Sequence, residues 1–181
     1  MATNLVVYDT TETGYPFLST FWAAGSLVNK AKDLPCSSWG QAYSKIKAAI
    51  PLRHPSQDPP VVNLEVWSHG NDGVSLINGQ TVDLAKLAAA LGRIDPASTV
   101  WFRSCETFRG RDGKAFAKEA RDTLGCVVVG HTKVISWPNP LFQRSICALR
   151  QDEEPWWTDF GNELRGCSTL RMEVPPWAFR A

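Results

Sequence analysis

Short apolar runs alternate, over roughly the first 130 residues, with longer segments in which apolar side chains recur every three or four positions. The short runs have the length and composition of β-strands and lie at 5–8, 61–67, 99–102 and 126–129. The longer segments predict amphipathic helices and lie at 17–32, 39–50 and 112–124. Strands that alternate with helices are typical of a mainly parallel sheet joined by right-handed crossovers. We therefore expect an α/β fold, a three-layer sandwich with helices on both faces of the sheet.

Capping and turn residues mark the boundaries of several predicted elements. Ser37 or Ser38 is suited to cap the helix that starts at 39, and Asp83 is suited to cap a short alanine-rich helix. The Asn78-Gly79 pair, at the centre of 74–82, has the composition of a hairpin turn. These signals predict a hairpin and a short helix between the second and third strands.

The pattern weakens beyond 131. We expect strands within 141–149 and 168–174, and an irregular connection over 151–163. A chain of 181 residues suits one domain, and no linker or low-complexity segment divides it. Residues 1–181 are therefore expected to form a single domain.

Composition and charge narrow the range of partners. A formal net charge of +1 gives no electrostatic reason to expect nucleic acid or an anionic membrane as a partner. The N-terminal residues lack the basic and apolar regions of a secretory signal, and no run approaches the roughly 18 apolar residues of a membrane span, so we expect a cytoplasmic protein. Five cysteines, without the spacing of a zinc site, indicate thiols rather than disulfides, and we expect no cofactor.

Candidate chemistry lies where two of the predicted strands end. Ser68-His69-Gly70 follows the strand at 61–67, and Ser104-Cys105-Glu106 follows the strand at 99–103. Because ligands gather at the carboxyl ends of parallel strands, neighbouring strands would bring His69 and Cys105 side by side. An imidazole beside a cysteine makes the thiol a usable nucleophile. Gly70 lacks a Cβ, so its backbone N–H can approach a substrate carbonyl as an oxyanion donor.

Three stretches carry a resemblance to a known family: "EVWSHGNDG", "VWFRSCETFRGRDGKAFAKEA" and "CVVVGH". Over about 61–130 they resemble the clan CD cysteine peptidases, which include caspases, metacaspases, legumain and bacterial CHAT-type domains. The resemblance implies a caspase-like sandwich that cleaves a protein or peptide substrate and is open to control by a regulatory partner protein. It implies that His69 is the acid/base, Cys105 the nucleophile, and the amides of Gly70 and Cys105 the oxyanion hole.

Arg103 carries the expectation for specificity, since it points to the same side of the strand as Cys105. At the floor of the pocket for P1, the residue before the scissile bond, its guanidinium would favour Asp or Glu. Other residues expected to contact substrate are Ser104, Glu106, His131, Asp9 and Asp72. In the alternative, Arg103 pairs with Glu106, Asp72, Asp9 or Glu12, and an acidic wall then favours Lys or Arg at P1.

Two further alternatives stay open. The same fold could serve as a catalytically inactive, caspase-like binding domain that uses its cleft without turnover. His131 could also join His69 and Cys105 as a metal ligand, although a fourth ligand is not evident, and we expect no metal. The tryptophans at 22, 39, 67 and 101 lie in apolar patterns and are expected in the core, while those at 137, 156, 157 and 177 are expected in loops.

Overall fold

A computed structural model describes residues 2–11, 31–134 and 146–155 of the chain. Most of the helix expected at 17–32, the strand expected at 168–174 and part of the connection at 151–163 lie outside these residues. So do Glu12, Trp22 and the four loop tryptophans. The elements, in chain order, are β1 (Thr3–Asp9), β2 (Lys32–Cys36), α1 (Trp39–Ala49), β3 (Val62–Trp67), β4 (His69–Asn71), β5 (Val74–Ile77), β6 (Gln80–Thr81), α2 (Leu84–Leu91), β7 (Thr99–Arg103), α3 (Gly110–Leu124), β8 (Val127–His131) and β9 (Ile146–Leu149).

The main sheet has six strands in the order β2-β1-β3-β7-β8-β9. All neighbouring pairs are parallel except β8 and β9, which are antiparallel. The predicted α/β class with a mainly parallel sheet is therefore confirmed. The strands expected near 61–67, 99–103 and 126–130 correspond to β3, β7 and β8, and their carboxyl ends share one edge of the sheet.

One edge strand was missed by the sequence pattern. The helix expected to run to Lys32 is wrong at its end, because Lys32–Cys36 is a strand paired with β1. Its sequence, KDLPC, lacks the apolar run of a central strand, and Pro35 has no N–H to donate to a ladder. An edge position tolerates both features, since only one side of the strand needs partners.

The local signals around the hairpin and helices are confirmed. Ser38 caps α1 by accepting a hydrogen bond from the Gln41 backbone N–H at 3.2 Å, and Asp83 caps α2 in the same way. Asn78 and Gly79 have φ angles of 50° and 69°, as a type I′ hairpin turn requires. The hairpin forms a second, three-stranded sheet, β4-β5-β6, to which His69 belongs.

All three helices of the described ranges pack on one face of the main sheet. We call it the helix face, and its strand residues include Leu5, Val7, Val62, Leu64, Val66, Val100, Phe102 and Val128. The buried side chains of α1, α2 and α3, and Ile77 of the hairpin, join the same core. The expected helices on the opposite face are not among the described elements. None of the helices in the described ranges is long and apolar enough to cross a lipid bilayer.

The opposite face of the sheet has a different chemistry. We call it the polar face, and its buried residues include Asn63, Glu65, Trp67, Trp101, Arg103 and His131. Along β3 and β7 the side chains alternate between the two faces, as the pleat of a strand requires. Each strand thus presents apolar residues to the helices and polar or aromatic residues to the other side.

Candidate active site

The two candidate catalytic residues follow neighbouring strands in matching positions. Trp67, the last residue of β3, pairs with Arg103, the last residue of β7. His69 and Cys105 therefore each lie two residues beyond a paired position, at the same edge of the sheet. Both are partly exposed, whereas the strand residues before them are buried. The structure thus brings together the backbone segments that the sequence predicted to be neighbours.

Gly70 packs directly on the peptide of Cys105. A Cβ added at position 70 would lie 2.4 Å from the Cys105 carbonyl oxygen and 2.6 Å from the Ser104 Cβ. No side chain fits that space without moving the backbone, so the close approach of the two segments requires glycine. This contact explains why His69 is followed by glycine.

Three buried hydroxyl groups join the segments from behind. Ser68 Oγ lies 2.8 Å from Ser104 Oγ and 3.0 Å from Ser75 Oγ, and Ser75 Oγ lies 3.1 Å from Ser104 Oγ. We call Ser68, Ser75 and Ser104 the hydroxyl triangle. Ser104 was expected to contact substrate, but its side chain is fully buried and its described partners are the other two serines. Sequence reasoning missed Ser75, which belongs to no recognisable motif.

Asp9 was also expected near the substrate, and the structure places it at the base of the hairpin. One carboxylate oxygen accepts hydrogen bonds from the Thr11 backbone N–H at 2.8 Å and the Thr11 hydroxyl at 2.7 Å. The other accepts the backbone N–H of Asn78, in the β5–β6 turn, at 2.9 Å. Asp9 is 1% exposed. It therefore anchors the hairpin that carries His69 to the end of β1.

The loop after Cys105 has a constrained backbone. Glu106 has a φ angle of 55°, in the left-handed region that side chains other than glycine rarely adopt. Its N–H donates to the Lys133 carbonyl at 3.1 Å, which ties the loop to the end of β8. The Glu106 carboxylate pairs with Arg109, whose Nε is 3.7 Å from Asp72 on the β4–β5 turn. Glu106 and Asp72, both of which were expected to contact substrate, are thus linked to each other through Arg109.

Arg103 lies on the polar face in a buried ion pair. Its Nε is 2.9 Å from Glu65 Oε2, and Glu65 is fully buried. The guanidinium lies over the rings of Trp101 and Trp67, with its central carbon 3.8 and 4.6 Å from the ring centroids. Glu65 was not among the acids that sequence reasoning considered. The signal that could have found it was a charged residue in the middle of a strand of mostly apolar residues, VNLEVW.

Burial dominates the electrostatics of this pair. Desolvation raises the pKa of Glu65, and the positive charge of Arg103 and the Trp67 N–H, 2.5 Å from Glu65 Oε2, act in the opposite direction. Desolvation also lowers the pKa of Arg103, opposed by the carboxylate of Glu65. Each charged form is costly to bury and is stabilised by the other.

His131 ends β8 on the same face as Arg103. It is 2% exposed, and its ring stacks on Trp101 with the centroids 6.0 Å apart. Its carbonyl accepts the backbone N–H of Phe108 at 2.9 Å, which holds the loop that follows Cys105. Within the described ranges, no three His, Cys, Asp or Glu side chains are grouped to hold a metal ion.

The arrangement has the elements that acyl transfer needs. Cys105, a partly exposed residue, follows one strand, and His69, also partly exposed, follows the next, while Gly70 beside His69 contacts the peptide of Cys105. Comparison of the chain with protein-family models, with curated proteins and with solved structures finds no match.

Proposed function

We propose that this protein is a cysteine endopeptidase with a caspase-like sandwich fold, in which His69 and Cys105 form the catalytic dyad. One observation carries the proposal: His69 and Cys105 follow neighbouring parallel strands at matching positions, and Gly70 packs on the Cys105 peptide. A partly exposed cysteine beside a partly exposed histidine at a sheet edge is what nucleophilic catalysis needs.

The proposed reaction proceeds through an acyl-enzyme. His69 takes the thiol proton, and the Cys105 sulfur attacks the carbonyl carbon of the scissile peptide bond. The backbone N–H groups of Gly70 and Cys105 donate hydrogen bonds to the resulting oxyanion. His69 then gives its proton to the leaving amine as the C–N bond breaks. Water, deprotonated by His69, hydrolyses the thioester and restores the thiol.

Arg103 and Glu65 bear on the proposed P1 preference. Arg103 supports an acidic P1 residue, because a guanidinium binds a carboxylate bidentately. Its ion pair with Glu65 works against this preference, because an incoming carboxylate competes with one already present. We therefore expect Glu65→Gln to increase the preference for Asp over its neutral isostere Asn at P1. Faster cleavage after Arg than after Asp would favour the basic alternative.

Cleavage of an unbiased peptide library tests the activity. We expect wild-type protein to cut a subset of peptides, and Cys105→Ala and His69→Ala each to lower the rate by roughly a thousandfold or more. Cys126→Ala is a matched control, since it removes a thiol that is fully buried in the helix-face core. Cleavage that survives in Cys105→Ala would contradict the proposal. A wild-type protein that cuts no peptide would favour the inactive binding domain.

A further inference from the structure

The hydroxyl triangle stands directly behind the proposed dyad, on the helix-face side of both strand ends. Ser68 precedes His69, and Ser104 precedes Cys105, so two corners adjoin the two candidate catalytic residues in sequence. Ser75, the third corner, comes from β5 and contacts both of the others. All three side chains are buried. The triangle therefore connects three elements that are distant in sequence.

Each of the three serine hydroxyl protons in the hydroxyl triangle has a hydrogen-bond acceptor. Ser68 Oγ donates to the His69 carbonyl at 3.1 Å and can accept from Ser75, and Ser75 can in turn accept from Ser104. In this arrangement three hydroxyl protons make three hydrogen bonds, all inside the protein. A buried hydroxyl that has its partners is held in one orientation, because leaving it unpaired costs about 1–3 kcal/mol.

Ser75 also belongs to the strand that pairs with the histidine segment. It lies opposite Gly70 in the β4–β5 ladder, and its carbonyl accepts the Val82 backbone N–H at 3.0 Å. The same residue thus meets the histidine segment through its backbone and the cysteine segment through its hydroxyl. Together with the contact of Gly70 on Cys105, this sets the separation of the two segments.

We propose that Ser75 is a positioning residue for the dyad, whose buried hydroxyl holds the backbone of His69 and Cys105 in register through Ser68 and Ser104. The inference rests on the proposed function for its effect on turnover, but its effect on Cys105 reactivity does not require peptidase activity. Ser75 touches no reacting atom. It acts by keeping the imidazole close to the thiol, and small displacements of reacting groups reduce rates strongly.

Ser75→Ala, compared with Ser98→Ala, tests the proposal. Ser98 is also fully buried and accepts the Val62 backbone N–H at 3.0 Å, but it lies at the amino end of β7, away from the site. We expect Ser75→Ala to slow iodoacetamide labelling of Cys105 at pH 7 roughly threefold or more, because a displaced imidazole stabilises the thiolate less. We expect kcat to fall roughly tenfold with KM within about twofold, and Ser98→Ala to change neither by more than about twofold.

Two results would overturn the inference. One is that Ser75→Ala and Ser98→Ala, both folded, give the same Cys105 labelling rate as the wild type. The other is that Ser75→Ala changes KM alone. If the wild type cuts no peptide, the peptidase proposal fails. The Cys105 labelling rates of Ser75→Ala and Ser98→Ala then decide whether Ser75 is a positioning residue. If Ser75→Ala does not fold, Ser104→Ala takes its place, and wild-type labelling in that variant would contradict the proposal.

Discussion

The two faces of the main sheet reach the candidate site with different interactions. The helix face is apolar along the strands and ends, at the carboxyl edge, in the hydroxyl triangle and the hydrogen bonds of Asp9. The polar face has a buried ion pair of Glu65 and Arg103 just before the same edge, and the guanidinium lies over two tryptophan rings. One face anchors the backbone, and the other places charge and aromatic surface beneath the site.

The strand alternation links this contrast to the proposed dyad of His69 and Cys105. Val66 belongs to the helix face and Trp67 to the polar face. Successive side chains alternate between the two faces, and the same alternation beyond the end of β3 puts Ser68 on the helix face, where its contacts lie. It puts His69 on the polar face. Beyond the end of β7, the alternation likewise puts Ser104 on the helix face and Cys105 on the polar face, with Arg103. In each segment the residue that anchors the backbone is therefore followed directly by a candidate catalytic residue.

Cysteine alkylation is the largest expected difference between the faces. Burial in the helix-face core raises the pKa of Cys36 to about 11 and that of Cys126 to about 12. At pH 7 these thiols are roughly 300-fold and 3,000-fold less ionised than an ordinary thiol of pKa ~8.5. We expect iodoacetamide to label Cys105 before the buried Cys36, Cys126 and Cys147, as mass spectrometry of peptides would show. Labelling of the unfolded protein in urea is the control, since all the thiols are then accessible. Equal labelling rates for Cys105 and the buried cysteines in the folded protein would contradict this difference between the two faces.

The next largest expected effect is the loss of stability when one member of the Glu65–Arg103 ion pair is replaced. Glu65→Leu removes the counter-charge that Glu65 supplies to a buried guanidinium, and we expect the free energy of unfolding to fall by about 3–5 kcal/mol in urea denaturation. Glu65→Leu with Arg103→Met should recover most of that loss, because an apolar pair of similar volume packs without desolvating charge.

Leu64 is the control for the ion pair, since it is the neighbour of Glu65 on the helix face. Leu64→Ala should cost about 2–5 kcal/mol through lost burial and a cavity. Adding Arg103→Met to Leu64→Ala should recover nothing. A double variant of Glu65 and Arg103 that is less stable than either single variant would mean that the polar face is held together as the helix face is.

The parallel sheet could be predicted from sequence because its signals are local. Short apolar runs define β3, β7 and β8, and Ser38 and Asp83 cap their helices through bonds to residues three positions away. The adjacency of the strand ends follows from topology, so His69 and Cys105 could be nominated together. Each of these inferences needs only periodicity and the known behaviour of parallel sheets.

The interactions that hold the site could not be predicted in the same way. Ser75 meets Ser104 across 29 positions of sequence, and Asp9 meets Asn78 across 69 positions. Such contacts depend on the docking of the hairpin, for which a single sequence has no periodic signal. Arg103 was assigned to a pocket because no acid in the neighbouring strand was considered as its partner. The edge strand β2 was missed since an edge position relaxes the composition that identifies strands.

Asp9 tests how strongly the helix-face edge holds the hairpin. Asp9→Asn keeps one carbonyl oxygen, so it cannot accept from both Thr11 and Asn78 as the carboxylate does. We expect a loss of about 1–3 kcal/mol in the free energy of unfolding, together with slower labelling of Cys105. Asp83→Asn is the control, because asparagine caps a helix about as well as aspartate, and it should change little. Equal stability of the two variants would contradict the anchoring role.

The smallest expected effect concerns Glu106, in the loop that leaves the polar face after Cys105. Both Glu106→Ala and Glu106→Gly remove the pair with Arg109, but only glycine relieves the left-handed φ of 55°. We therefore expect the glycine variant to be more stable than the alanine variant by about 1 kcal/mol, measured by thermal unfolding. At Ser44, an exposed position in the middle of α1, the order should be reversed, because alanine favours a helix over glycine by about 1 kcal/mol. If alanine were the more stable residue at both positions, the loop would carry no backbone strain, and the tie from Glu106 to Lys133 would then be sufficient to hold it.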